Sequence, residues 1–218
     1  MKKTLIALGL ASIFIGASAN AHQAGDVLLR SGGVFVSANS HSTTKTSTEV
    51  GLKVSDNAQL GLTATYMITD NIGVELLGAT PFSHKIRANV PSLGAGQRDL
   101  GEVVKLKQLP PSLYVQYYFL DKDAGSRPYV GAGVNYTRFF GAKATNPEIT
   151  NLQVKKHSFA PVVNLGIDIK LTENLYFNTA MWYTKIKTTA KFKALNADHE
   201  VDVKLNPFVF FMGLGYRF

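Results

Sequence analysis

The chain has 218 residues, no cysteine and a formal net charge of +8. Without cysteine it carries neither disulfides nor thiolate chemistry, whatever its compartment. A basic balance admits nucleic acid as a partner, but the first residues point to export, where a charged face meets anionic lipid instead. Met1-Lys2-Lys3 is basic, Leu5 to Ile15 is apolar apart from Gly9 and Ser12, and Ala19-Asn20-Ala21 supplies small residues at a cleavage site. That is the pattern of a signal peptide spanning 1–21. The apolar run is too short for a spanning helix, which needs ~20 residues. Residues 22–218 then form a single domain. Losing Lys2 and Lys3 leaves 21 basic and 15 acidic residues, a net charge of +6.

The rest of the chain alternates with period two, the signature of strands with one apolar face. A first strand runs from Asp26 to Val36, phased so that Arg30 points inward, because arginine on a lipid face costs ~2–4 kcal/mol at mid-depth. Leu60, Leu62, Ala64, Tyr66 and Ile68 mark the second strand, and Ile72, Val74 and Leu76 the third. Leu113, Val115, Tyr117 and Phe119 mark the fourth, and Val130, Ala132, Val134 and Tyr136 the fifth. Phe159 to Ile169, Leu175 to Tyr183 and Phe208 to Phe218 complete the set. Thr69-Asp70-Asn71 and Thr172-Glu173-Asn174 are tight turns of matching chemistry, and 121–126 is a third. The other links, 38–57, 88–101, 141–154 and 190–202, are long and polar. Eight strands with short turns on one side and long loops on the other predict an all-β, eight-stranded antiparallel transmembrane barrel of outer-membrane type. A water-soluble barrel would put its greasy face inside. Here the glycines and small polar residues oppose the aromatics. The aromatics also fall into two outward tiers: Phe35, Phe82, Tyr136, Phe159, Tyr183 and Phe208 near the long loops, and Tyr66, Tyr117, Phe119, Phe177, Tyr216 and Phe218 near the short turns. Two aromatic girdles belong to a lipid-embedded barrel.

The stretches "LGLTATYMITDNIGVELLGATPFSHKI", "LPPSLYVQYYF", "RPYVGAGVNYTRFF", "NTAMWYTKI" and "NPFVFFMGLGYRF" resemble the outer membrane protein W (OmpW) family across essentially the whole mature chain. The resemblance implies an outer-membrane barrel with a narrow hydrophobic lumen that passes small hydrophobic molecules and releases them sideways into the bilayer. Tyr216 and Phe218 resemble the signal that the barrel-assembly machinery reads.

Eight strands leave an interior only just wide enough for side chains, which argues against a general aqueous pore. Strand parity sends Val34, Val36, Met67, Leu77, Tyr114, Val162, Trp182 and Phe211 inside. The functional reading is an apolar conduit constricted at Leu77 and Trp182, positions the resemblance supports. The competing reading is a plugged, structural barrel that displays its loops as a receptor. In the wall, Pro81 lies in the third strand and Pro110 and Pro111 in the fourth. Proline cannot donate to a ladder. With a loop turning at Gly94-Ala95-Gly96, residue 81 falls opposite about residue 110, and a gap in the ladder is expected there as a side exit, or else a bulge.

His84, His157 and His199, with Asp198 and Asp202, lie on or near the loops without triad or metal-ligand spacing. No enzyme, metal or cofactor is expected, no nucleic acid, and a monomer. The long-loop side carries 16 basic and eight acidic residues, and the other side five and seven. That rim is expected to meet lipopolysaccharide phosphates, with Lys85, Arg87, Lys105, Lys107, Lys185 and Lys187 nearest the interface.

Overall fold

A computed structural model describes residues 22–46, 48–92, 99–194 and 196–218. The signal peptide at 1–21, the turn at Gly94-Ala95-Gly96 and Arg98 lie outside the described residues. Among those described, no helix is long and apolar enough to cross a membrane.

The described residues form fifteen strands: β1 (Val27–Ser37), β2 (Ser40–Thr44), β3 (Gly51–Val54), β4 (Asn57–Met67), β5 (Ile72–Ala79), β6 (Phe82–Asn89), β7 (Asp99–Leu109), β8 (Ser112–Tyr118), β9 (Ser126–Ala144), β10 (Thr150–Val154), β11 (His157–Lys170), β12 (Leu175–Thr184), β13 (Ile186–Ala194), β14 (Ala197–Leu205) and β15 (Phe208–Arg217). Eight of them close a ring in the order β11-β12-β15-β1-β4-β5-β8-β9, with β9 pairing back onto β11. Every pairing in the ring is antiparallel. Closure removes free edges, which is why strands can cross a membrane at all. The closing pair runs to the last residue, where Val27 and Phe218 exchange backbone bonds of 2.9 and 3.2 Å.

Leu60, Leu62, Val115, Val134, Leu165, Phe210, Met212 and Leu214 all point outward and are exposed, while their neighbours in sequence face the lumen. In water such a surface would be a large penalty; against lipid it is the stable arrangement. The two tight turns are built alike. Ile68 and Thr69 donate to Ile72 O while Thr69 Oγ1 accepts from Ile72 N, and Leu171, Thr172 and Leu175 repeat the pattern. Inside, a Cβ on Gly61 would fall 2.2 Å from Val34 Cγ2, so only glycine lets Val34 and Phe211 fill that level of the lumen.

The long links are not the unstructured polar loops expected from their composition. They carry strands that raise the wall above the bilayer. β7, β6 and β3 continue from β9 as a sheet, and β10, β13, β14 and β2 form a second. Their inner faces pack as one apolar core that includes Val50, Leu52, Val103, Phe139, Phe192 and Val201. The two sheets meet at β2 and β3, where side-chain hydroxyls take the place of a backbone ladder. Val54, Leu52 and Val50 donate their N–H to Ser40 Oγ, Ser42 Oγ and Thr44 Oγ1 at 3.1, 2.8 and 2.8 Å.

Phe82 departs from the outward tier expected of it and is buried inside the lumen. The cause is one extra residue at Pro81. Below it, β5 pairs with β8 from Ile72↔Tyr117 to Leu77↔Ser112. Above it, β6 pairs with β7 from Phe82↔Gln108, a register shifted by one. A one-residue shift exchanges the two faces of a strand. Leu77 therefore faces inward on an odd number, and Phe82 and His84 on even ones. His84 and His199, expected to be solvated, are both buried for the same reason of inward phase.

Candidate lumen site

From the short-turn end upward, the barrel interior consists of a charged floor, an apolar chamber, a thin polar ceiling and a second apolar chamber.

Arg30 is the centre of the floor. Its Nε donates to Asp168 Oδ1 at 3.0 Å, Nη1 to Glu75 Oε2 at 2.8 Å and Thr65 Oγ1 at 2.7 Å, and Nη2 to Tyr118 Oη at 2.9 Å. Asp168 also accepts from Asn178 Nδ2 and bonds His22 Nε2, both at 2.8 Å. Glu75 accepts from Gln116 Nε2 at 2.9 Å. Beneath them, Arg127 Nη1 donates to His22 O at 2.7 Å, and its guanidinium lies 5.4 Å from the Tyr118 ring centre. Buried charges persist only when paired and hydrogen-bonded, and these are. The inward phase of Arg30 was legible in the sequence; its partners Glu75 and Asp168 were missed. An acid at an inward position of an otherwise apolar strand was the signal that could have found them.

Above the floor lies a cavity of about 40 Å³ bordered by Val34, Val36, Leu77, Tyr114, Val162 and Trp182. The sequence brought these six together from five strands. Met67 and Phe211, expected to line the same lumen, are buried but do not border the cavity. Met67 sits lower, donating its N–H to Asp26 O at 2.9 Å, and Phe211 stands edge-on behind Trp182, ring centres 6.1 Å apart. Pro110 borders the chamber directly. It belongs to the stretch where the third and fourth wall strands part: between Leu77↔Ser112 and Phe82↔Gln108 no residues pair. The ladders on the outer sides of these two strands run on past the gap. Thr80 N donates to Leu60 O at 3.0 Å, and Tyr136 N to Pro111 O at 2.9 Å.

The ceiling is Phe82, stacked on His84 at 6.3 Å, with Gln108. His84 Nδ1 donates to Ser55 O at 2.7 Å, which leaves Nε2 to accept from Gln108 Nε2 at 3.0 Å. The second chamber, also about 40 Å³, is lined by Val50, Leu52, Val103, Ile149 and Phe192, with His199 at its wall. Ile186 packs into the upper core and also borders the lower chamber.

A family model described as "OmpW family" matches residues 23–218. The chain belongs to the OmpW family. It is 41% identical to outer membrane protein W of Vibrio cholerae serotype O1, over the full length of both chains, and 40% identical to that of Escherichia coli, again over both full lengths. Among solved structures it resembles the outer membrane protein OprG from Pseudomonas aeruginosa, with a TM-score of 0.82 and 33% identity over 92% of this chain and 99% of that one. As an OmpW family member it is an outer-membrane barrel without enzymatic function.

The rim residues divide. Lys85 and Lys105 share Glu102 at 3.1 and 3.5 Å, and Arg87 pairs with Asp99 at 3.2 Å. Hydrogen bonds from Lys85 and Lys105 hold the Glu102 carboxyl below the usual carboxylate range. Among the described residues, no carboxylate lies within 4.0 Å of Lys107, Lys185 or Lys187. Register sets Lys85 beside Lys105, Lys105 beside Lys143, and Lys187 beside Lys204. Like charges directly opposite destabilise a ladder unless an anion lies between them.

Proposed function

We propose that this OmpW family member is a channel for small hydrophobic molecules that enter the upper chamber, pass Phe82 and His84, and leave sideways into the bilayer at Pro81, Pro110 and Pro111. One observation carries the reading: the apolar chamber at Leu77 and Trp182 is sealed below by paired charges and bordered at its side by Pro110, where the wall ladder is interrupted. A molecule with no polar groups cannot replace the bonds of Arg30, so the floor is the harder exit. The unpaired stretch has no ladder to break. Leu77 and Trp182 are the constriction in this reading, and Val34, Val36, Tyr114 and Val162 its lining.

The test is uptake of a small apolar solute into vesicles containing the refolded protein. Leu77→Ala with Trp182→Ala should raise uptake several-fold while the barrel stays folded. Pro110→Ala with Pro111→Ala, which restores two ladder donors, should lower it. Unchanged uptake in both variants would overturn the proposal.

The size of the chambers favours a second reading. At about 40 Å³ each, they hold little without side-chain movement. A plugged barrel that serves as a loop-displaying receptor would show no protein-dependent uptake at all. In either case we assign Lys107, Lys185 and Lys187, with the partly neutralised Lys85, Arg87 and Lys105, to lipopolysaccharide phosphates, and Tyr216 and Phe218 to recognition by the assembly machinery.

A further inference from the structure

The lower chamber is apolar by its surface but not by its walls. Trp182, Tyr114 and Gln108 border it, and Asn164 is the cross-strand partner of Trp182 on the inner face. All four are at least nine-tenths buried. Trp182 Nε1, Tyr114 Oη, Gln108 Oε1 and both polar atoms of Asn164 have no hydrogen-bond partner among the described residues. For three of these side chains the surroundings show why. The Gln108 amide spends its Nε2 on His84, leaving the oxygen. Tyr114 Oη lies toward Ser112, whose Oγ donates to Pro110 O at 3.2 Å and accepts from Asn135 Nδ2 at 2.7 Å, so that a single lone pair is left to meet the phenol. Trp182 stands between Tyr114 and Phe211, its ring centre 6.5 and 6.1 Å from theirs.

Buried polar groups are almost always satisfied, and each exception calls for a cause. Four further buried side-chain atoms among the described residues lack a partner, His22 Nδ1, Thr46 Oγ1, Thr63 Oγ1 and His199 Nδ1, but none of these residues borders this chamber, and the floor saturates Arg30 with four side chains. A chamber meant only as packing, or only for hydrocarbon, would be better served by phenylalanine and leucine at these positions. The set retained here offers two donors, the indole N–H and the phenol O–H, together with the carbonyl of Gln108 as acceptor. Asn164, beside Trp182 but outside the lining, carries a further unpartnered amide.

We infer that the chamber selects, among small apolar molecules, those that carry a single hydroxyl or carbonyl oxygen. Such an oxygen accepts from Trp182 and Tyr114, a hydroxyl also donates to Gln108, and the hydrocarbon remainder lies against Val34, Leu77 and Val162. Entry requires the rings of Tyr114 and Trp182 to part, and the ligand oxygen takes up the bonds their polar atoms lack. A site that hydrogen-bonds an oxygen discriminates against the analogue without one, because its own groups are then left unpaired. The inference rests on the conduit reading and names its substrate class.

Trp182 is the single tryptophan of the chain, so its emission reports the chamber without labelling. The probes are cyclohexanol and methylcyclohexane, alike in shape, neither absorbing at the excitation wavelength. Both are titrated into refolded protein in nanodiscs, with free concentrations corrected for partition into the lipid. Cyclohexanol should bind about tenfold more tightly and shift Trp182 emission to longer wavelength as its N–H gains a partner. Tyr114→Phe keeps the ring and should reduce the preference to threefold or less, with methylcyclohexane binding unchanged. Equal affinity for the two probes in the wild-type protein overturns the inference and leaves the conduit intact. A preference untouched in Tyr114→Phe, Gln108→Leu and Asn164→Leu alike also overturns it. If neither probe perturbs Trp182, the conduit reading falls with it.

Discussion

Replacing Arg30 by methionine tests the floor most directly. The substitution keeps an unbranched apolar stem and removes the charge along with its bonds to Asp168, Glu75, Thr65 and Tyr118. Breaking a buried ion pair by removing one partner costs roughly 3–5 kcal/mol, since the other charge stays behind. Here two carboxylates stay behind, yet neither is stripped. Asp168 keeps Asn178 and His22, and Glu75 keeps Thr65 and Gln116. The expected loss is therefore at the low end, about 3 kcal/mol by that principle. Adding Asp168→Asn and Glu75→Gln removes the uncompensated charge and should recover more than half of it, because neutral replacements of a buried ionic cluster are often close to neutral in stability. The assay is urea unfolding in lipid vesicles, followed by Trp182 emission, with a reversible transition established for each variant. An Arg30→Met loss below about 1 kcal/mol, or a triple variant less stable than the single one, would refute the account of the floor as a set of mutually dependent charges.

Three further outcomes are expected. Deleting Thr80 removes the extra residue at Pro81, which should turn Phe82 and His84 out to lipid and Lys85 into the upper core; the folded, heat-modifiable band on gels should vanish, while Thr80→Ala should fold normally. Replacing Lys107, Lys185 and Lys187 by glutamine should weaken co-purification of lipopolysaccharide more than replacing Lys85, Arg87 and Lys105, and binding should fall as salt rises, since exposed charges are screened within ~10 Å at 0.1 M. At the second sheet, hydrogen bonds from Lys191 and Lys45 hold the Glu200 carboxyl below its ordinary range, and Lys45 does the same to Asp202. Depressed carboxylate values stabilise above the ordinary range and cease to do so as pH falls through the lowered values, so proteolysis at β14 should accelerate only in that acid window, and Lys45→Met should weaken the pH dependence while Lys191 keeps part of it.

How much of this was legible in sequence depends on the distance over which each signal acts. Alternation is local, and it located all eight wall strands and the inward side of Arg30, Leu77, Tyr114 and Trp182. It misplaced Phe82 because a single inserted residue at Pro81 reverses every later position, and no residue type marks which side of a proline carries the extra step. The extension strands were hidden by their own regularity. Of the inward positions Ile186, Thr188, Ala190 and Phe192, three are apolar, but Thr188 and the alternating lysines made the segment read as a polar link. The floor was illegible for another reason: Arg30 and Asp168 are 138 residues apart, and only closure of the ring makes them neighbours. The unpartnered atoms of Trp182 and Gln108 are likewise a property of assembled packing, with no counterpart in residue order.

The seam between β2 and β3 has a mechanical consequence. The leaf formed by β7, β6 and β3 joins the wall through the backbone pairing of β7 with β9, a strand that runs unbroken from Ser126 to Ala144. On its far side it is fastened to β2 by Ser40, Ser42 and Thr44. At its base, where it meets the membrane, the ladder is interrupted by Pro81 and Pro110. Such a leaf has a hinge at β9 and a latch at β2, while the chain itself ties its base to the ring through the links from β3 to β4, β5 to β6 and β7 to β8. Force or thermal motion would undo the hydroxyl bonds of the latch before it split any run of paired backbone, and the leaf would then flex on those three links while the transmembrane ring kept its shape.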